Sequence, residues 1–194
     1  MKRCLVGSEM CIRDRSDSSV VAAYWLHMLA ISVFLFLIPL SKHMHLVMAV
    51  PNVFFHDTGP AAKMRPLATN EHGLAVPLEE LDIDSFGVST YTQYTWRQLI
   101  DGWSCTSCAR CQDVCPAYAS GKGLNPMQVI HDVRDYANEH APILLSGETP
   151  DETMMQRITD EAVWACTTCN ACVDVCPLYI EHVPKLTDLR RNAM

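Results

Sequence analysis

The sequence predicts an all-α protein: one helix able to cross a membrane, followed by a helical domain built around cysteines. Three observations carry this. Val20 to Leu40 is a run of 21 residues without a formal charge. Beyond residue 94, apolar residues recur at three- and four-residue spacing, and no segment alternates as a strand would. Eight of the ten cysteines fall in two groups of four, each within eleven residues.

Residues 1–15, "MKRCLVGSEMCIRDR", have neither helical nor strand period. They also lack the apolar core and small-residue cleavage site of a secretory signal. "CLVGSEMCIRDR" resembles translated sequencing-adapter read-through. The expectation is a non-native tail on a chain truncated at its N-terminus, in which Cys4 and Cys11 carry no function. A disordered natural tail is the alternative.

Residues 16–50 read as a transmembrane helix. Between Asp17 and Asp57 the only formal charge is Lys42, and 21 residues suffice to cross a hydrocarbon core of ~30 Å. Tyr24 and Trp25 sit near one end as interfacial aromatics do, and Lys42 follows the other. Pro39 is expected to kink the helix without ending it, so that helix continues to Pro51. Residues 51–94 collect Pro51, Gly59, Pro60, Pro66, Gly73 and Pro77 and read as an irregular linker. Lys63 and Arg65 form a short basic patch within it.

The domain over residues 95–194 reads as helical. Thr95 caps "WRQLID", which Gly102 is expected to stop. Asn125 caps "NPMQVIHDVRDYANEH", with Pro126 at its first position and Met127, Ile130, Val133 and Ala137 on one face. A capping box from Thr149 to Glu152 opens "TPDETMMQRITDEAVWA", with Met155, Ile158 and Ala162 as its stripe. A last helix starts at Pro184. The net charge of −7 and the lack of a basic run argue against a nucleic-acid partner.

The cysteine groups are "CTSCARCQDVCP" (Cys105, Cys108, Cys111, Cys115) and "CTTCNACVDVCP" (Cys166, Cys169, Cys172, Cys176). Four thiols in eleven residues do not make a disulfide framework, and they point to cofactor ligation in a reducing compartment. Both follow the run C-x2-C-x2-C-x3-C-P of bacterial two-cluster ferredoxins. Three thiols of each run wrap one cube, and the fourth serves the other cube. The expected sets are Cys105, Cys108, Cys111 and Cys176 for one [4Fe–4S] cluster, and Cys166, Cys169, Cys172 and Cys115 for the second. Zinc is the alternative, but it usually takes C-x2-C pairs separated by longer loops. Trp103, Tyr118, Trp164 and Tyr179 flank the cysteines and could shield them from water, although core packing explains them equally well. The fifty residues between Cys115 and Cys166 resemble the connection of the alpha-helical ferredoxin fold, found in iron–sulfur subunits of succinate dehydrogenase, fumarate reductase, glycolate oxidase and heterodisulfide reductase. Nothing matches the plant-type [2Fe–2S] domain of succinate dehydrogenase.

Against this background the imidazoles at the apolar run suggest a second cofactor. On one continuous helix, His27 and His45 are five turns apart, face the same side and are separated by ~27 Å. His43 points about 160° away from His27. One imidazole near each membrane surface suits two b-type haems, each taking its other axial ligand from another helix. The kink at Pro39 keeps His43 open as the alternative. A hydrogen-bonded core or interfacial histidine is the plainer explanation. His56, His72, His131, His140 and His182 show no ligand spacing and read as surface or structural.

"LHMLAIS…PLSKHMHLVMAVPNVFF", "YTWRQLIDGWSCTSCARCQDVCPA" and "WACTTCNACVDVCPLYIEHVPKLTDLRR" together resemble the membrane-bound heterodisulfide-reductase-like iron–sulfur oxidoreductases. These fuse a cytochrome b region like the nitrate reductase gamma subunit to a two-cluster ferredoxin domain and cysteine-rich CCG domains. The resemblance implies haem b ligation by His27 and His45. It also implies exchange of electrons with quinone and with a flavoprotein or a CCG-type catalytic domain. The earlier cytochrome helices and a C-C-G motif are not in the chain, so they are expected on missing segments or a partner subunit. No acid–base or nucleophilic set is visible, and no catalytic site is expected within these residues. The expected location is the cell (inner) membrane, with lipid around the single visible span and the clusters on the cytoplasmic side. A soluble small two-cluster subunit of a heterodisulfide-reductase-like complex and a membrane-tethered zinc protein are the rivals.

Overall fold

The computed structural model describes residues 17–59, 77, 79 and 87–194. The expected tail, most of the linker with Lys63 and Arg65, and His72 lie outside these residues. Every regular element among the described residues is helical. The chain divides into two compact units, Met1–Ser41 and Lys42–Met194.

In the first unit, α1 (Asp17–Leu37) is 21 residues long, a length of ~31 Å. Ser18–Leu37 is long and apolar enough to cross a membrane, and its side chains are exposed throughout. Ser32, a polar residue within it, donates its hydroxyl to Met28 O at 2.8 Å. Tyr24 and Trp25 meet edge to face near its start.

The continuous helix expected to Pro51 is broken. After α1, Pro39 lies in a 3-10 turn (Ile38–Leu40), and Ser41 is extended at φ −131°, ψ 172°. Proline lacks an N–H and crowds the preceding turn, and here the chain leaves the helix within two residues of it. His27 and His45 therefore lie on separate helices instead of one. In the second unit a 3-10 turn (Lys42–Met44) leads into α2 (His45–Phe54). Pro51 lies inside α2, where it costs one internal hydrogen bond without ending the helix.

The cysteine-bearing domain is assembled on α3 (Trp96–Ser104) and α6 (Pro126–Glu139). Thr95 starts α3 through a capping box with Gln98. Gly102 does not stop this helix. A Cβ there would sit 3.0 Å from Arg134 Cβ, so glycine lets α6 pack close. Asn125 caps α6 by accepting from Met127 N and Gln128 N. Ile130, Val133 and Tyr136 of α6 are fully buried. The end of the expected linker joins this core, with Val88, Tyr91 and Tyr94 buried.

The helix expected from Thr149 is two helices, α8 (Met154–Arg157) and α9 (Asp160–Ala165), which follow the short α7 (Ala141–Leu145). The capping box forms at Thr153 and Gln156 instead of Thr149 and Glu152. A second cap, Thr159 accepting from Ala162 N, restarts the chain after Ile158 turns extended. Met154, rather than Met155, is fully buried. The last helix, α11 (His182–Ala193), starts two residues before Pro184.

A buried polar network ties these helices together. Asp101 of α3 pairs with Lys185 of α11, both within 1% of complete burial. Asp101 also accepts from Asn52 Nδ2 of α2 at 3.1 Å and from Glu181 N at 3.4 Å. Asn52 Nδ2 donates in addition to Leu178 O at 3.0 Å, and Arg97 Nη1 donates to Asn52 O at 2.5 Å. Removing one partner of a buried ion pair costs about 3–5 kcal/mol, because the other charge stays desolvated. Lys185→Met is expected to lose stability on that scale in urea denaturation followed by circular dichroism. Asp101→Asn combined with Lys185→Met should recover most of the loss, and an equally unstable double variant would contradict this account.

Candidate functional site

The two cysteine segments are built alike. α3 ends at Cys105 with φ −63°, ψ 124°, and α9 ends at Cys166 with φ −68°, ψ 124°. Two residues on, Ser107 N lies 3.5 Å from Cys105 Sγ, and Thr168 N lies 3.4 Å from Cys166 Sγ. The backbone is left-handed at Ser107 and Ala109, and again at Thr168 and Asn170. Such a conformation costs a residue with a Cβ about 1–2 kcal/mol. Its recurrence at matching positions means the surrounding fold holds both loops in shape. Two one-turn helices follow, α4 (Arg110–Asp113) and α10 (Ala171–Asp174). Cys115 then enters α5 (Pro116–Ala119) through Pro116, while Cys176 leads through Pro177 into a turn.

α4 and α10 pack on each other, which brings buried Cys111 and Cys172 together against Val183. Two open cavities result. Cys105, Cys108, Cys111 and Cys176 line the first, with an empty volume of about 330 Å³. Cys166, Cys169, Cys172 and Cys115 line the second, about 320 Å³. Each cavity thus draws three thiols from one segment and the fourth from the other. Among the described residues, no three His, Cys, Asp or Glu side chains converge on a point able to hold a single metal ion. The thiols stand around a volume instead.

Burial pushes the Cys111 thiol up to about 11 and the Cys172 thiol up to about 12, with neighbouring thiols adding to both. It also raises Cys105, Cys166 and Cys176. Such thiols stay protonated at neutral pH until a metal takes the proton's place, so ligation there releases protons.

Several neighbours escape motif reading. His131 of α6 places Nε2 3.7 Å from Cys105 Sγ and 3.0 Å from Ser107 Oγ. His182 lines the first cavity with its Nδ1 3.0 Å from Ile180 O. Neither has a sequence signal beyond being a histidine, because helix packing alone brings them there. Arg190 of α11 donates to Val163 O at 2.8 Å and to Cys166 O, closing the end of α9 beside the second cavity. Trp103, Tyr118, Trp164 and Tyr179 are not among the residues lining either cavity. Trp103 packs on the core, and the other three are exposed. His56 stacks on Tyr179 at 4.3 Å, and His140 lies 3.0 Å from Tyr136 O. Of the expected haem ligands, His27 lies exposed on α1, while His45 starts α2 with its ring 6.4 Å from that of His43.

Comparison with known proteins bears on this geometry. Residues 97–177 match the family described as the 4Fe-4S dicluster domain. These residues form a 4Fe-4S dicluster domain. The matched span of the dicluster domain contains all eight cysteines of both cavities. The chain is 32% identical over 192 residues to the EtfAB:quinone oxidoreductase of Syntrophomonas wolfei, covering 87% of this chain and 25% of that protein. It is 36% identical over 141 residues to a probable membrane-anchored ferredoxin of Chromohalobacter salexigens, covering 62% of this chain and 21% of that one. One component of the ferredoxin:CoB-CoM heterodisulfide reductase of Methanosarcina mazei is 34% identical over 97 residues, covering 49% of this chain and 48% of that component. The chain spans only about a quarter of the length of the first of these relatives. No solved structure matches it.

His182 makes the stability of the dicluster domain depend on pH. Its pKa is held down to about 4 from 6.5, by burial first and by the Lys185 charge second. Between those values the unfolded chain binds the extra proton, so stability is full above pH 6.5 and falls as pH drops towards 4. The expected slope reaches about 1.4 kcal/mol per pH unit. His182→Gln should flatten this part of the profile, read as urea midpoints at several pH values. An unchanged slope would place the acid sensitivity elsewhere.

Proposed function

We propose that the chain is a membrane-anchored electron-transfer module that relays electrons between a quinone- or haem-linked membrane side and a catalytic or flavoprotein partner. The observation that carries this is the exchange of the fourth thiol between the two cavities. Cys105, Cys108, Cys111 and Cys176 are the ligands of one [4Fe–4S] cluster, and Cys166, Cys169, Cys172 and Cys115 are those of the other. Each cluster supplies reversible one-electron chemistry when bound. The residues around it set its surroundings: Ser107 N and Thr168 N point at ligand sulfurs, and the buried walls exclude water from Cys111 and Cys172. Four thiols around an open volume suit a cube of iron and sulfide better than a lone zinc ion, which draws its ligands to a point.

α1 supports the anchoring, as does the name of the Chromohalobacter salexigens relative. The name of the Syntrophomonas wolfei relative, EtfAB:quinone oxidoreductase, supports quinone as an exchange partner. Haem b ligation by His27 and His45, with His43 as the alternative, rests on the family resemblance alone, since the break at Ser41 removes the helical phase. Those haems need second ligands from helices outside this chain. The clusters lie on the cytoplasmic side, and protease protection of the dicluster domain in inside-out membrane vesicles would overturn that sidedness. A soluble component like the one from the Methanosarcina mazei heterodisulfide reductase is the second reading, favoured by the match confined to about half of each chain. It leaves α1 without a role.

Anaerobic purification is expected to yield about eight irons and eight acid-labile sulfides per chain. About two zincs and no sulfide would sink the proposal. Cys176→Ala should remove the same electron paramagnetic resonance signal as Cys108→Ala, leaving the signal that Cys169→Ala removes. The opposite pairing would show that each segment holds its own cube.

A further inference from the structure

We propose that α2 lies in the membrane surface, with its outward face sunk among lipid headgroups and upper acyl chains. Its amphipathicity is the reverse of a water-facing helix. The inner face buries Asn52 completely, bonded to Asp101 and Leu178. The outer face presents Leu46, Val47, Val50 and Phe54, with Val50 70% and Phe54 78% exposed. No Asp, Glu, Lys or Arg occurs from His45 to Phe55. Helices that meet water carry their polar residues outward, and an exposed contiguous apolar patch marks an interaction surface.

Aromatic rings extend the patch onto the dicluster domain. Phe54 meets Phe55 edge to face at 4.9 Å, and Phe55 meets Trp96 at 5.5 Å. Trp96, which begins α3, is itself exposed. Aromatics of this kind gather where hydrocarbon gives way to water.

Length and connectivity select lipid as the occupant. α2 has ten residues, ~15 Å of helix, half of what crossing a bilayer needs. Only residues 38–44 separate it from α1, a tether of at most ~25 Å even if fully extended. A span ending at Leu37 therefore keeps α2 within reach of the headgroup layer, where a short helix with one apolar face binds in the plane. This inference rests on α1 as the membrane anchor, and it adds a second contact that the dicluster domain makes through its own fold.

The test uses the full chain with its clusters, in phospholipid nanodiscs. A photo-crosslinking phenylalanine analogue is incorporated singly in place of Phe36 on α1, Phe54 on α2, or Leu145 on α7. Leu145 is 87% exposed and serves as the solvent reference. Unchanged visible absorbance of the clusters confirms that each variant is folded. After illumination, mass spectrometry is expected to find lipid adducts at positions 36 and 54 and none at 145. Lipid at 36 with none at 54 would overturn the inference while leaving the anchor intact, whether position 54 reacts with protein or not at all. Absence of lipid at 36 would overturn the anchor and this inference with it.

Discussion

The carboxylate of Asp101 is the point on which the dicluster domain turns. Fully buried, it can remain ionised only if surrounding donors replace water. They come from three separate stretches of chain: Asn52 from α2, Glu181 N from the segment after Cys176, and Lys185 from α11. One charge thus fixes where α2 docks and where the last helix lies. It also fixes the course of the chain between Cys176 and α11. Arg97 reinforces the same junction through Asn52 O and, at 3.5 Å, Tyr179 O.

That junction bears directly on the first cavity. Cys176 arrives from a different segment than Cys105, Cys108 and Cys111, and the network around Asp101 holds the stretch just after it. The second cavity has a different support. Its loop begins where α9 ends, and Arg190 donates there to Val163 O and Cys166 O. The two near-identical loops therefore sit in unlike settings, with His131 and His182 beside the first cavity and the Arg190 guanidinium at the second. Unlike settings are a means by which one motif can supply two potentials.

Much of this was legible in the residues. The doubled motif announces its thiols, and the caps at Thr95 and Asn125 announce α3 and α6, because caps act over three or four residues of local chain. What was not legible depended on tertiary competition. Thr149 and Glu152 have the letters of a capping box, yet Thr153 and Gln156 form the box and Thr159 caps the next helix once Met154 and Ile158 enter the core. Gly102 reads as a stop and serves as a place for α6 to approach. Pro39 was legible as a kink, but the extended residue at Ser41 that separates α1 from α2 was not. Asn52 and Lys185 look like surface residues by type, and only their shared partner explains why both are buried.

The exchanged fourth thiol has a consequence for biosynthesis. Neither group of four is complete while the chain is still being made up to Cys172. The first must wait for Cys176, and the second needs all three thiols of the later segment. A ribosome that has delivered only the first cysteine segment has therefore offered no finished site to a cluster donor. With the ligand sets proposed above, loading of either cube would wait for the second cysteine segment.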